Sequence, residues 1–357
     1  MTWRQQNLVF WLSALLLLLL MLILVRQILL PFVAGAALAY ALHPVAEWLG
    51  RFGMTRVSAA AVIMAVLTVF IIAILLLLVP LLVGQMVDFA QRLPSYVIRL
   101  QEMFGSVLES DWARFFGIDP NSIRASITSF MSRGIDLTTT LFGSLWSGGV
   151  AIVGIASLLV VTPFVAFYLL RDWNGIIARV DRLVPLDHAE DVRRLAREID
   201  GKVAAFVRGQ LIVGFLLGIF YAIGLVAIGL NYGLLIGLAS GILSFIPYLG
   251  FTVGFVLSIA IALVQFGPNW LMIAAVIVVF MIGQLLEGYV LQPRLIGRNV
   301  GLHPVWLIFA LFAAGLLFGF VGLLLAIPAA AAIGVILRFA VERYRMSPLF
   351  RGSGPSI

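Results

Sequence analysis

The sequence contains no cysteine, a single lysine (Lys202) and only three histidines, His43, His188 and His303. Without thiols the chain can form no disulfide, zinc–thiolate or iron–sulfur centre. The three histidines fall outside the cores of the apolar runs, so a Ser/His proteolytic pair within the membrane has no histidine to draw on. No HExxH motif and no paired intramembrane aspartates occur either, and an enzyme is not expected. Charge is scarce: 11% of the 357 residues. That is far below a soluble globular chain. No glycine-rich phosphate cradle occurs in the polar segments, so this chain is not its own ATPase, and no cofactor or metal is implied.

What is present is apolar. Hydrophobic residues make up 63% of the chain, and mean hydropathy is +1.14. The apolar blocks are continuous, unlike the ~10-residue alternating segments of a membrane β-barrel. The net charge of +7 comes from arginines clustered beside those blocks. In a membrane protein these read as topology signals rather than as nucleic-acid contacts. The class is therefore an all-α polytopic membrane protein, with the lipid bilayer as its first partner.

Six full transmembrane helices are expected. The first, 8–25, is too long for a signal-peptide core and continues into a second apolar run without a small-residue cleavage site, so it reads as uncleaved. The second spans 28–42, with Pro31 near its start and His43-Pro44 closing it; the third spans 57–79, with Pro80 as a kink. Residues 1–84 would form a scaffold. In 85–145, Met86, Phe89, Leu93, Val97, Leu100 and Phe104 share one helical face interrupted by Pro94, and Ile123, Ile127 and Phe130 suggest a second run. These are expected to be extracytoplasmic amphipathic helices, bundled together or lying on the membrane. The fourth span, 146–170, ends at Arg171-Asp172. Segment 171–208 carries eight basic and seven acidic residues, with an apolar stripe of Val192, Leu195, Ile199, Val203 and Phe206. The fifth and sixth spans are 211–230 and 269–290, and 341–357 is a tail.

Two further apolar segments, 233–266 and 305–337, fit neither one crossing nor two. As helices each would run about 50 Å, against a hydrocarbon core of ~30 Å. Both are interrupted midway, at Ile246-Pro247-Tyr248-Leu249-Gly250 and at Phe318-Gly319-Phe320-Val321-Gly322. Broken re-entrant helical hairpins are expected. A shift of 72 residues places Leu235 on Leu307, Ile236 on Ile308 and Gly250 on Gly322. Each broken segment follows one span, and those spans run oppositely, which describes an inverted repeat with hairpin tips meeting near the midplane. With two hairpins, six spans and cytoplasmic termini, 17 of the 23 basic residues lie inside, in keeping with the positive-inside rule. Segment 209–340 would then be the transport domain.

Hairpin tips expose backbone groups that lipid cannot satisfy, so they belong in protein or beside a wet cavity. Ser244, Pro247, Tyr248, Gly250, Gly319 and Gly322 are the candidate substrate contacts, together with Gln284. Glu287, on the same helical face as Gln284, is the candidate ion-coupling residue, because a carboxylate in an apolar span is costly unless paired, protonated or hydrated. A structural reading, in which Glu287 pairs with Arg294 or Arg298, remains open beside it. The pairs Gly214/Gly218, Gly237/Gly241, Gly250/Gly254 and Gly315/Gly319 are read as close helix contacts.

Several motifs in order resemble the autoinducer-2 exporter family of bacterial membrane permeases. They are Phe167-Tyr168-Leu169-Leu170-Arg171-Asp172, Gly209-Gln210, Ile246 to Gly250, Gln284 through Glu287 to Leu291-Gln292-Pro293, Gly297-Arg298-Asn299-Val300-Gly301-Leu302-His303-Pro304, and Leu325-Ala326-Ile327-Pro328. The match is dense from 160 to 330, with Gly209, Gln210, Pro293, Arg294, Gly297, His303, Pro304 and Pro328 as its structural residues. Phe251 departs from the small residue or proline common after that glycine. The resemblance implies an inner-membrane transporter, export of autoinducer-2 or sodium–proton antiport in different members, homo-oligomers with pentamers expected, and elevator-like movement. The expected function is export of a small polar solute, coupled to H+ or Na+, with a sodium/proton antiporter and a non-transporting scaffold as alternatives.

Overall fold

A computed structural model describes residues 13, 17, 20–108, 129, 150–267, 269–295, 304–347 and 350. Among them the regular structure is entirely helical. The helices are α1 (Leu29–Arg51), α2 (Arg56–Leu108), α3 (Val150–Asp181), α4 (Ala189–Ala227), α5 (Gly233–Leu243), α6 (Leu249–Phe266), α7 (Trp270–Leu285) and α8 (Pro304–Met346). Among the described residues six helices are long and apolar enough to cross a membrane: Leu29–Arg51, Arg56–Phe89, Ala189–Ala227, Leu249–Phe266, Trp270–Leu295 and Val305–Met346. Most of the expected first span, the run through Ile123, Ile127 and Phe130, the start of the fourth span, and Gly297, Arg298 and His303 lie outside the described residues.

Three sequence-based boundaries move. His43-Pro44 does not close the second span: Pro44 lies inside α1, which runs on to Arg51. A proline removes one ladder bond, and a helix with packed neighbours can absorb that loss. The stop comes at Gly53, whose φ of +85° suits a residue without Cβ. Pro94 likewise does not interrupt its helix, because α2 continues through Pro80 and Pro94 for 53 residues. The polar stretch from Gln85 is thus the continuation of the third span. Finally, α3 passes Arg171-Asp172 and ends at Asp181.

The chain forms two compact units. One comprises 1–65, 157–209 and 295–357. Within it Gly35 of α1 backs onto the Thr162 carbonyl and Val165 of α3, where an added Cβ would come within 2.8 Å of both. The Thr162 hydroxyl donates to the Pro31 carbonyl at 3.3 Å. Charged pairs tie its polar ends: Arg343 donates to Asp191 at 2.7 Å, and Arg193 grips Asp181 with two bonds of 2.7 and 2.8 Å. That last pair closes the turn between α3 and α4. The Arg193 hydrogen bonds hold the Asp181 carboxyl below its ordinary range. A depressed folded-state value means the contribution is present above the unfolded value and lost as pH falls through the folded one. Backbone amides of 182–187 are expected to lose protection, judged against the intrinsic exchange rate at each pH, once pH drops below about 4. Hydrogen-exchange mass spectrometry checks this, and Arg193→Ala should remove the acid-dependent step. The pair is exposed, so global stability should barely move.

The other unit comprises 66–156 and 210–294. The polar part of α2 anchors the approach to α5. Tyr232 donates to Asp88 at 2.7 Å, Asn231 donates to the Tyr96 hydroxyl at 3.3 Å, and the Leu235 amide donates to Gln85 at 3.2 Å. Gln265, at the end of α6, accepts from the Asn231 amide at 2.8 Å and donates to the Gly229 carbonyl at 2.7 Å. Amphipathicity in 85–96 therefore serves a specific polar junction.

Both predicted interruptions are real changes of direction. Helix α5 stops at Leu243, and α6 starts at Leu249 after Tyr248 takes φ +66°. Gly250 then backs onto the Ser240 carbonyl and the Ser244 hydroxyl, and Gly254 onto the Ser240 hydroxyl. Within α8, Gly319 has φ 62° and ψ −139°. Beyond it, Gly322 backs onto the Ala314 carbonyl. In an unbroken helix those two residues would be about 12 Å apart. The close approach links residues ten apart in the first case and eight apart in the second, so the second bend is the tighter.

Candidate functional site

In the 66–156/210–294 unit, glycine spacing sets how close the helices come. An added Cβ on Gly214 of α4 would meet the Gly241 carbonyl at 2.7 Å, and one on Gly218 would meet the Gly241 Cα at 3.3 Å. The pairs Gly214/Gly218 and Gly237/Gly241 thus bring α4 and α5 into backbone contact, as small-residue spacing in membrane helices does. This contact puts Gln210, 2% exposed, beside the turn after α5. Its side-chain amide donates to the Ser244 carbonyl. That carbonyl belongs to the break, where the helical ladder can no longer satisfy it. The Ser244 hydroxyl donates to the Ser240 carbonyl at 2.8 Å, and the Ser240 hydroxyl to the Ile236 carbonyl at 2.7 Å. A buried hydroxyl ladder therefore lines the turn.

Tyr248 projects from the tip and is exposed, Pro247 is half-buried and Gly250 is buried. Ser244 and Gly250 come together with Gln210; Tyr248 stays apart from them.

The second cluster lies at the end of α7. From Leu286 to Leu291 the helix widens into a π-helical turn, followed by an α-turn from Gln292 to Leu295. Such turns shift side-chain register locally and recur at functional sites. Glu287 sits in this turn and is 5% exposed. Its carboxylate accepts from the Gln292 amide at 3.1 Å. Arg294 is exposed and lies beyond ion-pair distance of Glu287. Gln284 is half-buried three residues earlier. Beside this turn, Tyr221 of α4 is wholly buried and stacks on Phe280 at 4.7 Å. Its hydroxyl has no hydrogen-bond partner among the described residues. It fits because position 283 is glycine: a Cβ there would strike the phenol oxygen at 2.5 Å. Gly283 precedes Glu287 by four residues, so the phenol approaches the same stretch of α7.

The other unit holds the break at Gly319. Gly319 is exposed, whereas Gly322 and Pro328 are buried. Arg26, from the 3-10 turn before α1, donates to the Leu317 carbonyl at 3.2 Å. That carbonyl stands two residues before the Gly319 break, so a guanidinium satisfies a group freed by the interruption. Pro304 opens α8, where its missing N–H costs nothing. Gly209 is buried and Pro293 exposed.

Tyr221, Ser240 and Arg26 escaped the sequence reading. Tyr221 had a signal, being a hydroxyl in the middle of an apolar run. Arg26 stands between two apolar runs and passes for a topology charge. Ser240 had none, because a serine beside small residues is ordinary in membrane helices.

Residues 12–342 match the model of the AI-2E family transporter. The chain is 30% identical over 327 residues to "Putative transport protein YrrI" of Bacillus subtilis, covering 88% of this chain and 87% of that one. It is 26% identical over 313 residues to "Putative permease PerM" of Escherichia coli K12, covering 87% and 86%. A second B. subtilis relative, "Putative transport protein YueF", is 26% identical over 258 residues, covering 71% of this chain and 68% of that one. With its long apolar helices and a match over nearly its whole length, this chain is a multi-pass membrane protein belonging to the AI-2E family of transporters.

Proposed function

We propose that the protein is a secondary transporter that exports a small polar solute across the bacterial inner membrane, with Glu287 as its ion-coupling group. One observation carries the reading: a carboxylate buried in an apolar helix and bonded only to a neutral amide among the described residues. A carboxylate there is costly, and uptake of a proton or a monovalent cation offsets that cost. The helix reversals at 244–248 and at Gly319 act as re-entrant hairpins of an inverted repeat. Their tips supply polar backbone and the groups of Ser244, Pro247, Tyr248, Gly250, Gly319 and Gly322, and Gln284 adds an amide. The segment 209–340 works as the transport domain, moving in an elevator-like manner against the remaining spans within a homo-oligomer whose termini are cytoplasmic. Molecules of the autoinducer-2 type fit the solute class.

Cells lacking the protein are expected to retain one or more small polar metabolites that complemented cells release, read by comparing intracellular and medium metabolite profiles. Identical profiles would sink the export reading.

The isolated carboxylate also suits a sodium/proton antiporter. Proteoliposomes loaded with a pH-sensitive dye separate the two: sodium addition without organic solute should move protons only in the antiporter. A non-transporting scaffold would show neither response.

A further inference from the structure

In the unit of 66–156 and 210–294, one buried phenol has no part in the proposed transport cycle. Tyr221 is wholly buried, and its hydroxyl has no hydrogen-bond partner among the described residues. Leaving such a group unpaired costs about 1–3 kcal/mol. Phenylalanine would fill the same place without that cost, since the ring stacks on Phe280 at 4.7 Å and the oxygen adds nothing to the stack. The hydroxyl is closed to solvent, so its partner has to be a neighbouring side chain rather than a solute.

Glu287 is placed to be that partner. An added Cβ at Gly283 would stand 2.5 Å from the phenol oxygen, so the oxygen occupies the space of a side chain at 283. Residues four apart on a helix have Cβ atoms roughly 5–6 Å from each other. From position 287, a glutamate folded back toward the helix N-terminus covers that gap, and helical side chains favour that direction. The carboxylate is instead bonded to Gln292, whose amide donates to it at 3.1 Å. Glu287 is also the one charged group among the described residues that acts on the phenol electrostatically. Helices α5 and α6 carry no ionisable side chain, and Tyr289 and Arg294, beyond Glu287, are exposed. Gln284 is turned about 100° around the helix from Gly283.

We propose that the Glu287 carboxyl has two positions, one bonded to Gln292 and one in which it accepts from the Tyr221 hydroxyl, with Tyr221 as the positioning residue of the second. The exchange carries the carboxyl from one side of position 287 to the other and leaves it paired in both places. An acid that binds and releases an ion on each cycle needs two such stations. That use rests on the coupling role proposed for Glu287; the two positions themselves do not.

A double-mutant cycle, read by thermal unfolding of the full chain in detergent, tests the exchange. Tyr221→Phe should leave the midpoint unchanged or slightly raised, because Gln292 still serves the acid. Gln292→Leu should lower it only modestly, because Tyr221 takes over. Together they leave Glu287 without a donor, and the midpoint should fall by roughly 2 °C more than the two single changes combined. In a Glu287→Met background the two changes should simply add. Additivity in the parent protein, or the same excess in the Glu287→Met background, would overturn the proposal. If the double variant does not fold, the infrared carboxyl stretch of Glu287 decides, isolated at acid pH by subtracting the Glu287→Gln spectrum. Two components are expected in the parent protein and one in Tyr221→Phe; a band that Tyr221→Phe leaves unchanged overturns the second position. Gradient-driven flux is read separately: a Glu287→Gln variant that still responds to the gradient ends the coupling role without touching the result of the cycle.

Discussion

Gly241→Val is expected to prevent the protein from accumulating in a folded form. A Cβ at position 241 would lie 2.6 Å from the Gly218 amide nitrogen and also strike the Gly218 Cα and the Gly214 carbonyl. These are backbone atoms of the facing helix, so no rotamer change relieves the clash. Helix α5 would have to withdraw from α4, and the hydrogen bond from Gln210 to the Ser244 carbonyl would break with it. Overpacking alone costs about 1–3 kcal/mol. The lost bond leaves a buried carbonyl unsatisfied, adding about 1–3 kcal/mol. Against a typical stability of about 5–15 kcal/mol the sum is severe. Size-exclusion profiles and thermal unfolding in detergent read the result. Gly201→Ala is the control: that residue is in α4 with nothing within 4 Å of an added Cβ. It should be neutral or stabilising by up to about 1 kcal/mol.

Glu287→Gln is expected to fold normally yet lose gradient-driven transport by an order of magnitude or more, which is at least ~1.4 kcal/mol in the rate-limiting step. The substitution is nearly isosteric and keeps an oxygen for the Gln292 amide to bond at 3.1 Å. It removes the charge that would have to be neutralised on each cycle. The informative comparison is solute flux in proteoliposomes with and without an imposed pH gradient. If the variant still responds to the gradient like the parent protein, Glu287 is not the coupling group. Gln292→Leu probes the same carboxylate from its partner's side and should give a milder loss, since it removes a hydrogen bond but no charge.

The membrane class was legible because continuous apolar blocks and sparse charge have few other physical meanings. The interruptions at 246–250 and 318–322 were legible because glycine and proline there cannot sustain a helix through an apolar run. Helix continuity was harder to read. Pro44 and Pro94 suggested stops, yet α1 and α2 pass through them, because a single missing ladder bond does not outweigh the packing of long helices. The polar face of 85–96 was visible as amphipathicity, but its partners were not. Its contacts with Asn231, Tyr232 and Leu235 join residues more than 130 positions apart, and no local pattern encodes them. Around Glu287 the carboxylate itself stood out. The approach of the Tyr221 phenol to the same stretch did not, because it depends on the missing side chain at Gly283.

The widened turn at Leu286–Leu291 also makes the chain sensitive to length. A π-helical turn accommodates a surplus residue relative to an ordinary ladder, and each helical residue corresponds to about 100° of rotation. Deleting one position there would let the rod close up, and Glu287 would swing out of phase with everything on its far side. Homologous chains that differ by a single indel within this hexapeptide should therefore aim their acidic group in a different direction, even where every other letter agrees.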